Sequence, residues 1–252
     1  MKIALLLTGQ LRTYRTTFKN LKKYIIDPLN PEIFISTWHQ TGSSHKELLV
    51  KKNEDISEDY LMNFYQTNNV HIENFQNSFF DKIGDVTVPE KLKLIEKGNY
   101  KGTLPMYYHM YKGFQMLKNN KFDLIIRMRP DYQVNDFLDL NIFDKKNTLY
   151  FNSFDANPDW QVGDKINIGD YEAIKYSCSV FDKLNEYWLK PEGDGSFYSH
   201  RVGEKLFKYH FDISNKYNAE PFFLNAKILR KDKYSAHLFI LYNHLKGYLY
   251  KK

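Results

Sequence analysis

The chain has 252 residues, of which 42% are hydrophobic and 26% charged, with a formal net charge of +6. That size and apolar content allow one large α/β domain with an ample core. A single cysteine, Cys178, excludes an internal disulfide and a cysteine-built metal site, and no apolar run approaches the ~20 residues of a membrane span.

The basic excess suits anionic partners such as nucleotide or lipid phosphates. Aromatic residues make up 17% of the chain; they suit stacking on sugars or bases, and equally a Tyr-, Phe-, Lys-, Asn- and Ile-rich composition. No basic stripe interleaved with aromatics is present, so no nucleic-acid partner is expected. The first residues, Met1–Leu7, are too short for a secretion signal and lack a cleavage site. The expectation is a cytoplasmic protein, touching at most the inner face of a membrane. Neither repeat nor linker divides the chain.

In chain order, Lys2–Leu7 predicts a buried strand that runs into Thr8-Gly9-Gln10-Leu11-Arg12. Gly9 permits close backbone approach at this strand-to-helix turn, and Arg12 beside a helix start suits an anion. Tyr14, Phe18, Leu21 and Ile25 mark one face of the following helix, closed by Pro28 and Pro31. Glu32–Trp38 predicts the second strand, with Trp38 able to stack on a base or sugar or to join the core. His39 and His45 lack metal-type spacing and read as loop residues. From Lys46 to Asn99 the pattern loosens, with a short helix near Leu61–Tyr65 and a short strand near Val70–Ile72. This region reads as an insertion or as the less regular half of a nucleotide-binding region.

Gly102–Pro105 opens a clear helix, with Thr103 as its cap and Pro105 in its first turn. Tyr107, Met110, Tyr111, Phe114 and Leu117 form its buried stripe, and Tyr108, His109 and Lys112 its solvated face. Phe122–Tyr132 is the centre of the reading. Leu124, Ile125 and Ile126 form a strand of the kind buried in a parallel sheet. If the chain stays extended, Arg127, Arg129 and Asp131 point the same way; Pro130 ends the ladder. Two guanidiniums and a carboxylate then meet at the carboxyl end of a central strand, where open α/β sheets bind ligands.

Thr148–Phe154 predicts another strand, Asp155–Trp160 a loop with an aromatic tip suited to an acceptor-side lid, and Gly163–Gly169 a strand with Asp164 at its start. Asp170 caps a helix whose buried face is Ala173, Tyr176, Val180, Leu184 and Trp188. Cys178 lies inside it as a small core residue. Gly193–Ser196 reads as a turn, and Ser199 as the start of a helix with Glu204 and inward Val202, Leu206 and Tyr209. Phe222, Leu224, Ala226 and Ile228 alternate as in one strand. His237–Lys252 reads as an amphipathic tail packed on the domain or on a membrane.

Arginine forks hold phosphate oxygens by paired hydrogen bonds, and a neighbouring carboxylate suits a divalent cation bridging two phosphates. Arg12, Arg127, Arg129 and Asp131 therefore fit a nucleoside diphosphate. In a sugar transfer negative charge grows on that leaving group, and cations aimed at it lower the barrier. The competing structural reading is a local salt-bridge cluster.

Leu5–Arg12 (LLLTGQLR), Ile33–Trp38 (IFISTW) and Arg127-Met-Arg-Pro-Asp131 resemble bacterial and viral glycosyltransferases of the lipopolysaccharide and capsule type, WavE-like proteins among them. The resemblance runs from the first strand to about Phe211. It implies a single GT-A-like α/β domain with a mostly parallel sheet flanked by helices. Residues 1–135 form its nucleotide-binding half, and residues 136–252 its acceptor-side half and tail. It implies a nucleotide-sugar donor held by Thr8, Gly9, Gln10, Arg12, Trp38, Arg127, Arg129 and Asp131, and a glycan or lipid-linked glycan acceptor. Asp131 matches the last Asp of the Asp-x-Asp motif that holds Mn²⁺ or Mg²⁺ in such enzymes. Arg129 stands where the first would be, a departure that leaves one carboxylate where such enzymes have two. A base for the acceptor's proton is sought among late carboxylates, and Asp164 and Glu204 are the candidates. Two other readings stay open. A sugar nucleotidyltransferase would want a glycine-rich basic loop after the first strand, where this chain has one glycine. The other is a non-catalytic carbohydrate- or nucleic-acid-binding module.

Overall fold

In this computed structural model, residues 1–42, 54–95, 99–117, 122–189 and 203–229 are described. The chain opens with β1 (Ile3–Thr8), then α1 (Tyr14–Leu21), which passes through a π-helical turn at Lys22–Ile26 into the short α2 (Asp27–Leu29). β2 (Glu32–Trp38) follows, and then α3 (Glu58–Tyr65), β3 (Asn69–Glu73), a two-strand hairpin of β4 (Lys82–Ile83) and β5 (Val86–Thr87), and α4 (Glu90–Ile95). Next come α5 (Thr103–Gln115), β6 (Leu124–Met128) and β7 (Tyr132–Val134). β8 (Thr148–Asn152), β9 (Ile166–Gly169), α6 (Tyr171–Cys178), α7 (Val180–Leu189), α8 (Gly203–Asp212), β10 (Asn218–Phe222) and β11 (Ala226–Ile228) complete it.

The main sheet has the order β10-β8-β9-β6-β1-β2-β3. All its pairings are parallel except those of β9, which runs antiparallel to both β6 and β8. Every residue of β1, β6, β8 and β9 is buried, as expected of strands covered on both faces. Ala4, Leu6, Phe34 and Ile125 face a layer formed by α5 to α8 and the β4–β5 hairpin. Leu5, Leu7, Ile35, Ile126 and Ile168 face α1, α3 and the β7–β11 ribbon. No helix among the described residues is long and apolar enough to cross a membrane.

Several expectations are corrected here. The region after Lys46 is no loose insertion where it is described: β3 extends the main sheet, and Ile83, Val86, Val88 and Leu92 enter the core. α5 has no solvated face at Tyr108 and His109, which are 7% and 0% exposed. It is wedged between sheet, hairpin and α7, and a Cβ on its Gly113 would lie 2.9 Å from both Leu6 and Thr8, so the helix rides directly on β1. Gly102, not Thr103, stands at its N-cap, with no side-chain cap. The predicted long strand through Ile228 is two strands in different sheets, β10 beside β8 and β11 beside β7. Asp170 does cap α6, accepting from the Ala173 amide at 2.8 Å. Cys178 is a buried core residue, as expected. The readings at His45, Gly193–Ser196, Ser199, Val202 and the tail lie outside the described residues.

Candidate active site

Met128 is the last residue of β6, and the chain then turns, with the Tyr132 amide bonded to the Arg129 carbonyl. Arg127 still lies inside the sheet. Its guanidinium, in a side chain among the largest fully buried ones, donates from Nε to Thr8 Oγ1 (2.6 Å). From Nη1 it donates to Asn167 Oδ1 (3.2 Å) and to the backbone carbonyl of Asp164. Burial pulls its pKa down to about 10, still far above neutrality. Arg127 and Thr8, expected to hold a donor, are bonded to one another and are 1% and 0% exposed. Trp38 is likewise 3% exposed, packed by Phe75, Phe79, Tyr108 and His109. As placed, it has no face open to a base.

Arg129 sits differently. Nε and Nη2 form a fork on Asp131 at 2.9 and 2.9 Å, and Nη1 lies 3.6 Å from Asp164 Oδ2. Asp131 also faces Arg12 Nη1 at 3.4 Å, and Arg12 Nε donates to Gln10 Oε1 at 2.7 Å. The turn at Gly9 (φ +107°) is tied to β2 through Gly9 N to Ser36 O and Thr37 Oγ1 to Gly9 O. Thus Gly9, Gln10, Arg12, Arg129 and Asp131 do converge at the carboxyl ends of β1 and β6, with the Asp131 side chain sealed beneath the two guanidiniums.

Arg129 opens onto a cleft of about 390 Å³ lined by Gly102, Thr103, Met106, Gln161, Asp164 and the start of α8 at Gly203–Lys205. Both base candidates meet there. Asp164 lies in the turn before β9, held from below by Arg127 on its carbonyl and by Asn167 Nδ2 on Gly163 O (2.8 Å). Glu204 is held by α8, whose start is pinned by Tyr107 Oη donating to Gly203 O (2.8 Å) and Val162 N donating to Glu204 O (3.0 Å). Lys165 Nζ stands between the carboxyls, 3.6 Å from Asp164 Oδ1 and 3.3 Å from Glu204 Oε1.

The two acids are pushed apart. For Asp164 burial favours the neutral form, but Arg129 foremost, then Lys165 and Arg127, outweigh it and hold the pKa below the usual value. Glu204 is raised, by burial first and by the charge of Asp164 second. Asp164 is therefore the weaker proton acceptor of the two and Glu204 the stronger, the division of labour that acid–base chemistry needs. Asp164 Oδ1 is buried without a hydrogen-bond partner; Lys165 is in ion-pair range but too far to donate. Such an oxygen is costly unless a donor arrives.

A divalent cation does not fit these residues. It needs several oxygens with free lone pairs. Asp131, the expected ligand, has both oxygens taken by guanidiniums, and Asp164 and Glu204 are each beside a cation. Among the described residues no group of three or more His, Cys, Asp or Glu is placed to hold an ion.

No protein family model matches the chain, and no curated protein matches it. Some solved structures are similar to it. The apo-form glycosyltransferase GlyE of Streptococcus pneumoniae TIGR4 aligns over 87% of this chain and 44% of its own, at 12% identity and a TM-score of 0.42. The galactosyltransferase LgtC, in complex with donor and acceptor sugar analogues, aligns over 87% and 73%, at 9% identity and 0.40. A glycosyltransferase involved in glycosylation of the major capsid of PBCV-1 aligns over 88% and 82%, at 9% identity and 0.39. The chain thus spans less than half the length of GlyE. At such identities and TM-scores the chemistry has to be read from the site's own side chains.

Lys165, Lys205, Gln161 and the uncapped start of α5 were not legible as site residues. Asn167 did carry a signal. An amide inside the buried strand Ile-Asn-Ile-Gly needs partners, and it finds them in Arg127 and Gly163.

Proposed function

We propose that the chain is a glycosyltransferase that moves a sugar from a nucleotide-sugar to a hydroxyl of a surface-type glycan, of the lipopolysaccharide, capsule or glycoprotein kind. The observation that carries this reading is the meeting of Arg129 with a split pair of carboxyls in one cleft. A transfer has two electrical demands. The bond from the sugar's anomeric carbon to the phosphate oxygen breaks with its electron pair left on the diphosphate, and the new bond to the acceptor oxygen releases a proton. Arg129, with the positive end of α5 beside it in the cleft lining, suits the first demand. Glu204, raised by its surroundings and beside the unpartnered Asp164 Oδ1, suits the second: its carboxylate takes the acceptor proton while Asp164 orients the hydroxyl.

A thermal-shift panel of nucleoside diphosphates, nucleotide-sugars and free sugars tests the reading. A nucleotide-sugar at ~100 times its Kd should stabilise the protein by ~2.7 kcal/mol, which is several degrees for a chain of this size. With that donor, Glu204→Gln should lower turnover by ~100- to 10,000-fold while Tm holds. Stabilisation by free glycans alone, with none by any nucleotide, would instead mark a carbohydrate-binding module.

A further inference from the structure

We propose that the donor diphosphate is held by side-chain cations in place of a divalent metal ion. This rests on the nucleotide-sugar reading above and concerns what neutralises the leaving group. The carboxylate at the position where a metal would sit, Asp131, is fully buried and bound edge-on by the Arg129 fork, with Arg12 at its second oxygen. A cation approaching Asp131 would have to displace a guanidinium and then sit against it, and like charges at that range repel strongly. Asp164 and Glu204 are no substitute, because Lys165 lies between them and Arg129 flanks Asp164.

Positive charge is instead already built in. Arg129 lines the cleft, Lys205 lines its rim over the Trp160 ring, and Lys165 lies behind. The start of α5 also lines the cleft, at Gly102 and Thr103, and this 13-residue helix has no side-chain cap and no acidic residue in its first turn. A 3-10 turn at Asn99–Gly102 leads straight into it and Pro105 has no N–H, so this end offers the positive pole of the helix rather than a row of free amides. When the anomeric carbon–oxygen bond breaks, the electron pair stays on the diphosphate oxygen. The guanidinium receives that charge by hydrogen bonding, with no proton transferred. Asp131 fixes the plane of the Arg129 fork, and its own charge is spent on that task.

Calorimetric titration of the full chain with a panel of nucleoside diphosphates tests this, once in excess EDTA and once in excess Mn²⁺. One diphosphate should bind in EDTA, with a Kd within about threefold of that in Mn²⁺. Arg129→Gln should weaken it by roughly tenfold or more while leaving any binding of the uncharged nucleoside unchanged. Because Arg129→Gln risks misfolding beside the buried Asp131, Lys205→Gln at the rim is the second variant, expected to weaken the diphosphate by a smaller factor. Binding that appears only with Mn²⁺ overturns the proposal and leaves the transferase reading standing. Binding in EDTA that neither variant changes overturns it as well. No diphosphate bound under either condition removes the nucleotide-sugar reading itself.

Discussion

The Arg127 guanidinium is 1% exposed and gives its hydrogens to Thr8, Asn167 and the Asp164 carbonyl. Two residues on, Arg129 has the same chemistry at the mouth of a cleft. Alternation along a strand predicts that both point one way, but it does not say where the sheet ends. Depth along the strand separates a residue that positions Asp164 from one that faces a ligand. Glu204 allows a test at this scale. Burial and Asp164 raise its pKa, so a base at this position becomes competent only above the ordinary glutamate range of ~4.3. The acidic limb of the kcat/KM profile should therefore rise at a pH above that value, and Glu204→Gln should abolish the limb along with most of the turnover. A limb unchanged in the variant would move the role to Asp164.

Among the elements, α8 matters most, because it carries Glu204 into the cleft. It is anchored from behind by His210, whose ring stacks on Tyr176 of α6 with centroids 4.1 Å apart. The ring nitrogens meet Tyr187 Oη at 2.7 Å and the Tyr176 carbonyl at 2.8 Å. A neutral imidazole satisfies both, accepting from the first and donating to the second. Burial lowers the His210 pKa to about 4, with Lys183 adding to the effect. In the unfolded chain the ring titrates near ~6.5, so between those values the unfolded state binds a proton that the folded state refuses. Stability should then fall as pH drops from about 6.5 to about 4, with a slope from this group approaching ~1.4 kcal/mol per pH unit. Urea unfolding across that range should show this component in the wild type and lose it in His210→Gln. α5 teaches a related lesson. Its aromatic stripe was legible, but Tyr108 and His109 on the other side are covered by α7 and by Trp38, which lies far from them in the chain.

For the molecule as a whole, the net charge of +6 is a statement about approach more than about fold. Association of an anionic nucleotide-sugar should slow as salt rises, while any binding of a neutral glycan should not, since the Debye length shrinks from ~10 Å at 0.1 M to ~3 Å at 1 M. Stopped-flow measurements at several ionic strengths would read the difference; equal salt dependence for both would argue against a cationic donor cleft. What the sequence by itself determined was the local order. Apolar runs made β1, β2 and β6, Asp170 made a cap, and Arg129-Pro130-Asp131 marked a strand end rich in charge. These features are set by neighbours a few residues away, and such neighbours are visible in a linear chain. The tertiary structure alone decided that β9 enters antiparallel beside β6. That pairing carries Asp164 to Arg129 and lets α8 bring Glu204 to the same cleft. Arg129, Asp164 and Glu204 meet because elements distant in the chain pack together, and the energy of that packing lies in long-range burial that no spacing along the chain records.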